Sequence, residues 1–442
     1  MGRRKAHAPL NVLINNRQIG RLEKDPSGAI SFQYDDSWLN FPRHFPVSLS
    51  LPPRPEPYRG EGVIAVFDNL LPDNPDVRGL VAAKTGAQGT DAYSLLEQIG
   101  RDCVGAMQFI PDGRSVDAMA PVSGEAVSDR EIEQILANLA RAPLGINLEQ
   151  DFRISVAGAQ EKTALLHHEG RWKRPAGTTP TTHILKPQMG EIPTPDGVVD
   201  LSNSVENEHY CLKIMEGFGL PAAKTEIATF GKRKVLVIER FDREWRDQDH
   251  ILRLPQEDCC QALSIPSSRK YQSHGGPGIV DILKLLGGSD EPSRDQAAFF
   301  KSQIIFWLIG APDGHGKNFS IFLRPGGRFE LTPFYDVLTV QPAVDAKRIR
   351  HNQFKAAMCV GNSRKYEILR IHGRHFVETA RQAGLGPAII REVVDEVMRD
   401  AARALDSARR AMPHDFPADL VHSVETAALG RLNQLKTAYD AF

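Results

Sequence analysis

The 442-residue chain has few cysteines, no long apolar run and almost no net charge, and each shortage excludes something. Its five cysteines, Cys103, Cys211, Cys259, Cys260 and Cys359, are odd in number and show no C-x-x-C spacing. That argues against a disulfide framework and against a zinc site, and it fits a reducing, cytoplasmic setting. The longest apolar stretch, Ile304 to Ala311, is too short to span a bilayer. The start Met1-Gly-Arg-Arg-Lys lacks a signal-peptide core and has no Ser or Thr at position 6 for myristoylation, so no membrane partner is expected. A net charge of −1 offers no broad electrostatic footprint for nucleic acid. Any DNA contact should be local or supplied by a partner. Internal repeats and low-complexity tracts are absent as well.

What is present suffices for two or three compact units with real cores, since 41% of the residues are hydrophobic. Short apolar runs at Leu10 to Ile14 and Ile19 to Leu22 flank Asn15-Asn16, and Pro26-Ser-Gly28 leads into Ile30-x-Phe32-x-Tyr34. These predict a small antiparallel meander. The capping box Ser128-x-x-Glu131 opens a helical pattern through Ile132, Ile135, Leu136 and Leu139, with Pro143 as its expected stop. From Asp151 the alternation of Phe152, Ile154 and Val156, then Gly158-Ala-Gln and Thr163 to Leu166, predicts a hairpin. His183-Ile-Leu185 ends in Lys186, a helix starts near Ser204, and the run Val235 to Ile238 leads into Glu239-Arg-Phe241. Beyond about residue 258 the chain reads as mainly helical, with Asp295 to Gly310 apolar nearly all round, as in the central helix of a bundle. The segment Pro266 to Gly278 reads as a mobile loop near an acceptor site, or simply as a linker.

Phosphoryl transfer needs a carboxylate for the attacking hydroxyl, oxygen ligands for Mg²⁺ and a cation on the phosphates. Asp313 follows the buried helix, and Asn318 comes five positions later, the D-x-x-x-x-N spacing of a kinase catalytic loop. Two apolar runs, Phe319 to Leu323 and Phe329 to Leu331, are separated by Pro325-Gly-Gly327 and predict a hairpin. A hairpin returns Asp336 beside Asn318, so that both can share one metal while Asp313 serves the substrate. Taken singly, each of these residues could be a turn or cap residue; the order of loop, hairpin and second aspartate points to chemistry. His315 and Lys317 could touch phosphate or be solvated. Lys186 has the position of the strand lysine that holds phosphates and pairs with a helix glutamate. Of the two glutamates on the next helix, Glu208 shares a face with Val205, Leu212 and Met215, whereas Glu206 points with Tyr210 and Lys213. A carboxylate on an apolar face needs a partner, which selects Glu208. Gly158-x-x-x-Lys162-Thr163 is not a P-loop, because Glu161 replaces the glycine before the lysine and a strand is expected to follow.

These residues resemble the HipA family of bacterial kinase toxins. The matching segments are Asp151-Phe-Arg-Ile-Ser-Val-Ala-Gly-Ala-Gln-Glu-Lys162, Arg253-Leu-Pro-Gln-Glu-Asp258, Gly275-Gly-Pro-Gly-Ile279, Asp313-Gly-His-x-Lys-Asn318 and Thr332-Pro-Phe-Tyr-Asp336, with Phe67-Asp-Asn-Leu-Leu-Pro72 and Ile99-Gly-Arg-Asp102 nearer the N-terminus. The resemblance implies an α+β, protein-kinase-like two-lobe fold with an additional β-rich N-terminal subdomain (1–145), a kinase N-lobe (146–258) and a mainly helical C-lobe (259–442). It implies that Ala157, Gly158, Ala159, Gln160, Glu161, Lys162 and Lys186 contact ATP phosphates, and that Glu239, Arg240 and Phe241 offer backbone groups to adenine. His315, Gly316, Lys317, Asn318, Tyr335 and Asp336 would complete the nucleotide site, with Asn318 and Asp336 on Mg²⁺ and Asp313 as the catalytic carboxylate. Ser155 corresponds to a serine that is autophosphorylated, with inactivation as the result. The implied partners are a HipB-type antitoxin, operator DNA through that antitoxin, and an aminoacyl-tRNA synthetase, glutamyl-tRNA synthetase above all, as substrate. Gly316 stands where the family usually has alanine, and Pro312 precedes Asp313. Of the basic pair that touches DNA in the family only Arg381 is present, with Gly384 at the second position. Two other functions share this sequence pattern: a kinase-fold co-repressor acting as a binding module, and a small-molecule kinase.

Overall fold

The computed structural model describes residues 7–114, 116–117, 120–145, 154–158, 160–194 and 197–442. The chain divides into two compact units, one of Met1–Pro187, Ala228–Ser268 and Ile321–Arg328, the other of Gln188–Ile227, Arg269–Ser320 and Phe329–Phe442. Strands and helices alternate in segregated blocks, which is the α+β class expected from the sequence.

In the first unit, the strands Leu10–Ile14, Arg17–Lys24 and Ile30–Tyr34 form the expected antiparallel meander. Asn15 and Asn16 both adopt positive φ, 48° and 62°, a conformation that asparagine tolerates better than most residues. The strand Met107–Pro111 adds to one edge and Tyr58–Arg59 to the other. Phe32, Phe67 and Phe109 meet beneath this sheet with ring centroids 5.4 and 5.7 Å apart, anchoring the helix Glu61–Asp68. Ser128 and Glu131 make both bonds of the capping box at the start of the helix Asp129–Ala137. That helix ends at Asn138, well before Pro143, although Leu139 is still buried. The expected stop was therefore too late: apolar periodicity outlasts the helix because a turn can bury a leucine equally well.

A second sheet of this unit is ordered Thr225–Phe230, Arg233–Glu239, His183–Pro187, Thr163–His168, Arg171–Pro175, Gly124–Ala126, with the first strand entering the unit at Ala228. Thr163–His168 pairs with Arg171–Pro175 and His183–Pro187, so the hairpin expected between residues 152–156 and 163–166 does not form. Phe152, like Asp151 and Arg153, lies outside the described residues. Ile154 and Gly158 instead make isolated parallel bridges to Asp102 and Pro72. Alternation alone cannot distinguish a strand paired to its sequence neighbour from an extended segment laid on a distant one.

The second unit is built around the helix Pro292–Ile309, whose residues from Phe299 onward are all buried, as its apolar circumference predicts. Gly310 caps it in the left-handed conformation with φ 68°. The helix Ser204–Gly217 belongs to this unit and packs on Pro387–Arg410. A Cβ on Gly217 would lie 2.7 Å from the Ala404 carbonyl oxygen, so only glycine permits that approach. No helix among the described residues is long and apolar enough to cross a membrane.

Candidate active site

The second unit carries the loop that follows the central helix. Asp313 is exposed, whereas His315, Lys317 and Asn318 are buried in the 3-10 turn Gly316–Asn318 and its approach. The His315 N–H donates to the Asp313 carbonyl at 2.8 Å and to Asn318 Oδ1 at 3.2 Å, which closes the loop on itself. The hairpin follows as expected: the Arg324 N–H reaches the Arg328 carbonyl at 2.8 Å at its tip, and the Thr332 N–H reaches the Ser320 carbonyl at 3.0 Å at its base. Phe319 anchors the turn between Phe299 and Phe306, with centroids 4.9 and 5.9 Å away.

The hairpin delivers Asp336 to Asn318, whose Nδ2 donates to Asp336 Oδ2 at 3.0 Å. Asp336 holds φ at +59°, a conformation that costs a non-glycine residue free energy and that is found where structure serves a site. Tyr335 bonds the same loop, its hydroxyl 2.8 Å from the Lys317 carbonyl oxygen and 2.6 Å from Ser320 Oγ. An amide oxygen and a carboxylate make a hard oxygen donor set of the kind Mg²⁺ uses together with phosphate oxygens, so the two residues fit that ion. Glu208 and Glu206 are both buried on the helix Ser204–Gly217, so the helical-face argument does not separate them as it was expected to. Almost the whole first half of that helix is enclosed.

The first unit holds the residues predicted to contact phosphate and adenine, from Ala157 to Lys162, Lys186 and Glu239 to Phe241. Lys186 is buried in its strand, in register with Leu236. Gly158 takes φ +110°, and the Lys162 ammonium folds back to the Ala157 carbonyl oxygen at 2.6 Å. Gln160 Nε2 lies 3.4 Å from the Pro187 carbonyl oxygen, while Ala159 is outside the described residues. Ser155 is fully buried: its hydroxyl donates to the Leu70 carbonyl at 2.6 Å and its N–H to the Asp102 carbonyl at 2.9 Å. The Arg240 N–H is spent on the Thr182 carbonyl at 2.9 Å and the Arg240 carbonyl accepts from Arg243, so the backbone of this residue is already paired.

Sequence reasoning missed the charged hub around Asp102. Asp102 accepts from Arg240 at 3.3 Å, Arg243 at 2.9 Å and Arg253 at 3.2 Å, and also from the Thr181 N–H and hydroxyl. Asp242 binds Arg240 at 2.7 Å and Arg243 at 3.0 Å. Burial alone would push the Asp102 carboxyl up; the guanidiniums of Arg243, Arg240 and Arg253 reverse this and hold it far below the usual carboxylate range. Burial pulls Arg253 down to about 10 against its bond to Asp102. Ile99-Gly-Arg-Asp102 and Arg253-Leu-Pro-Gln-Glu-Asp258 held the signal, since both set charges among apolar residues. The hub ties Arg240, one of the predicted adenine contacts, to the Asp102 backbone that accepts the Ser155 N–H.

A loop aspartate, an Asn–Asp pair returned by a hairpin and a buried strand lysine are the kinds of residue that a phosphotransferase of the kinase class uses. The HipA-like C-terminal domain model matches residues 154–405, and the HipA N-terminal domain model matches residues 10–110. The chain is 31% identical over 90% of its length to a Sinorhizobium fredii protein named as a kinase, covering 90% of that protein. It is 28% identical to the serine/threonine-protein kinase toxin HipA of Shewanella oneidensis, over 75% of each chain. The fold matches the Shewanella oneidensis HipA solved with HipB and operator DNA at a TM-score of 0.78, with 22% identity, covering 98% of this chain and 99% of that one. The chain belongs to the HipA family, and its enzyme class is that of the serine/threonine protein kinases.

Proposed function

We propose that this kinase is the toxin of a toxin–antitoxin pair that transfers the γ-phosphate of ATP to a protein serine. The observation that carries the site assignment is the 3.0 Å contact of Asn318 with Asp336 on the loop that begins at Asp313. Asp313 orients the acceptor hydroxyl and takes its proton as the serine Oγ–P bond forms and the bridging P–O bond of ATP breaks, releasing ADP. Asn318 and Asp336 would hold Mg²⁺, which would supply positive charge to the phosphate oxygens. Lys186, paired with Glu208, and the segment Ala157 to Lys162 hold the phosphates; Glu239, Arg240 and Phe241 offer backbone groups to adenine. His315, Gly316, Lys317 and Tyr335 complete the nucleotide site. The segments 1–145, 146–258 and 259–442 act as β-rich N-terminal subdomain, kinase N-lobe and helical C-lobe.

Ser155 is the self-phosphorylation site that switches the enzyme off. A phosphoserine carries about −1.5 to −2 charges and cannot return to the buried place that the hydroxyl occupies against Leu70. The modified segment therefore stays out, and the phosphate-holding groups beside it are lost. A HipB-type antitoxin, operator DNA reached through it with Arg381 as the local basic contact, and an aminoacyl-tRNA synthetase such as glutamyl-tRNA synthetase as acceptor follow from the kinship with the HipA toxins, as does a cytoplasmic setting.

Incubation with ATP and Mg²⁺ is expected to label Ser155 and to shift the phosphoproteome of an expressing cell at a synthetase serine. Asp313→Gln is expected to lower both by about 10²–10⁴-fold. Wild-type labelling in that variant would remove Asp313 from the mechanism, and operator binding without any transfer by the native chain would leave a co-repressor.

A further inference from the structure

Asp313 is an exposed carboxylate on a loop, and a side chain in that setting swings among rotamers unless something holds it. In the second unit something does. The Tyr271 hydroxyl donates to Asp313 Oδ1 at 2.6 Å, a charge-assisted bond. Tyr271 sits on a segment that the sequence presents as mobile but that the structure fixes at several points. The Gly316 N–H donates to the Lys270 carbonyl at 3.2 Å, and the Cys359 N–H donates to Gln272 Oε1 at 2.7 Å. The Tyr271 ring stands edge-on to the His315 ring, centroids 5.0 Å apart at 85°. The Gly276 N–H returns to the Tyr271 carbonyl at 3.0 Å, and a Cβ on Gly276 would run into the Arg269 carbonyl oxygen. The segment is thus a strap bonded to the catalytic loop by main chain, ring and hydroxyl.

We propose that Tyr271 is a positioning residue for the catalytic carboxylate, its phenol fixing Asp313 Oδ1 so that Oδ2 meets the acceptor hydroxyl. This rests on the kinase function proposed above. The strap makes the phenol rigid, the phenol makes the carboxylate rigid, and preorganisation of the group that receives the proton raises the rate without strengthening nucleotide binding. Tyr271→Phe keeps the ring against His315 and removes only the hydroxyl.

The test is a double-mutant cycle on transfer kinetics with the full chain, ATP and Mg²⁺, reading phosphate incorporated into protein. Tyr271→Phe is expected to lower kcat about tenfold while the KM for ATP and the melting temperature hold. In the Asp313→Gln background the same change is expected to have no further effect, because the phenol acts only through that carboxylate. A native kcat in Tyr271→Phe would overturn the assignment, as would a rise in KM for ATP equal to the loss of rate, or an equal tenfold loss with and without Asp313. Phosphotyrosine at position 271 in the native chain would overturn it too, since the phenol would then be an acceptor. A native chain that transfers no phosphate fails the kinase function itself and takes this proposal with it, whereas an active chain indifferent to Tyr271→Phe fails the positioning role alone.

Discussion

The two units each bury charge, and they do so in opposite ways. Around Asp102 in the first unit, three guanidiniums and two carboxylates sit with side chains only 2–6% exposed, and every charge is bonded to another. Around Asn318 in the second, buried polar groups lead out to an exposed Asp313 and to an Asp336 held at positive φ. Charges that satisfy one another make a rigid frame, whereas the carboxylates of the second unit are met by neutral donors, Asp313 by the Tyr271 hydroxyl and Asp336 by the Asn318 amide. By the same distinction Ser155, hydrogen-bonded to Leu70 and Asp102, belongs to the frame.

Substitution should separate the two regions. Asp102→Ala leaves three guanidiniums short of a partner in a buried place, and a loss of about 3–5 kcal/mol is expected in urea unfolding, with kinase activity following the folded fraction. A native-like unfolding midpoint would mean that the hub is not a frame. In the second unit, Asn318→Ala and Asp336→Ala are each expected to lower transfer about 10²–10³-fold, with unfolding midpoints near native and recovery by excess Mg²⁺ incomplete. Chelation of the metal should abolish transfer by the native chain and leave its melting unchanged; a large drop in melting would make the metal structural.

The pH dependence sharpens the contrast. Asp102 and Asp242 have lowered pKa values in the fold, so their stabilisation is present above the unfolded carboxylate range near 4 and is lost as pH falls below it. Glu257 runs the other way. It is fully buried, with Leu49 N–H on one oxygen at 2.8 Å, and burial pushes it up to about 8. Its contribution is present at low pH and is lost as pH rises from the unfolded value of 4.5 to about 8, because the unfolded chain releases the proton first. Glu257→Gln is expected to gain on the order of 2–4 kcal/mol at pH 8 and little near pH 4. Calorimetry at the two pH values checks this, and an equal effect at both would contradict it. His209 in the second unit, lowered to about 4 by burial, loses its contribution as pH falls from 6.5 toward 4. The smallest change is Ser128→Ala, which removes one bond of the capping box and should cost about 1 kcal/mol in thermal unfolding without touching transfer.

Local chemistry was legible wherever a bond or a turn closes within a few residues. Asn15-Asn16 announced its turn, Ser128 and Glu131 their capping box, and Pro325-Gly-Gly327 the hairpin that returns Asp336 to Asn318. The end of the helix at Asn138 was not legible, because Leu139 is apolar and buried whether or not the helix continues. Nor was the pairing of Thr163–His168, since a strand's partner is chosen by distant residues. Burial does not choose between Glu206 and Glu208 for a related reason: helical phase predicts one buried face, and this helix is enclosed on more than one.

By itself, then, the sequence determined the order of the candidate site residues, because a D-x-x-x-x-N loop and a following hairpin are set by short-range geometry. Tertiary structure alone decided that Tyr271 holds Asp313, 42 positions away, and that Asp102 gathers Arg240, Arg243 and Arg253 across as many as 151. No periodicity records such contacts. They arise only when burial forces each charge and each hydroxyl to find a partner.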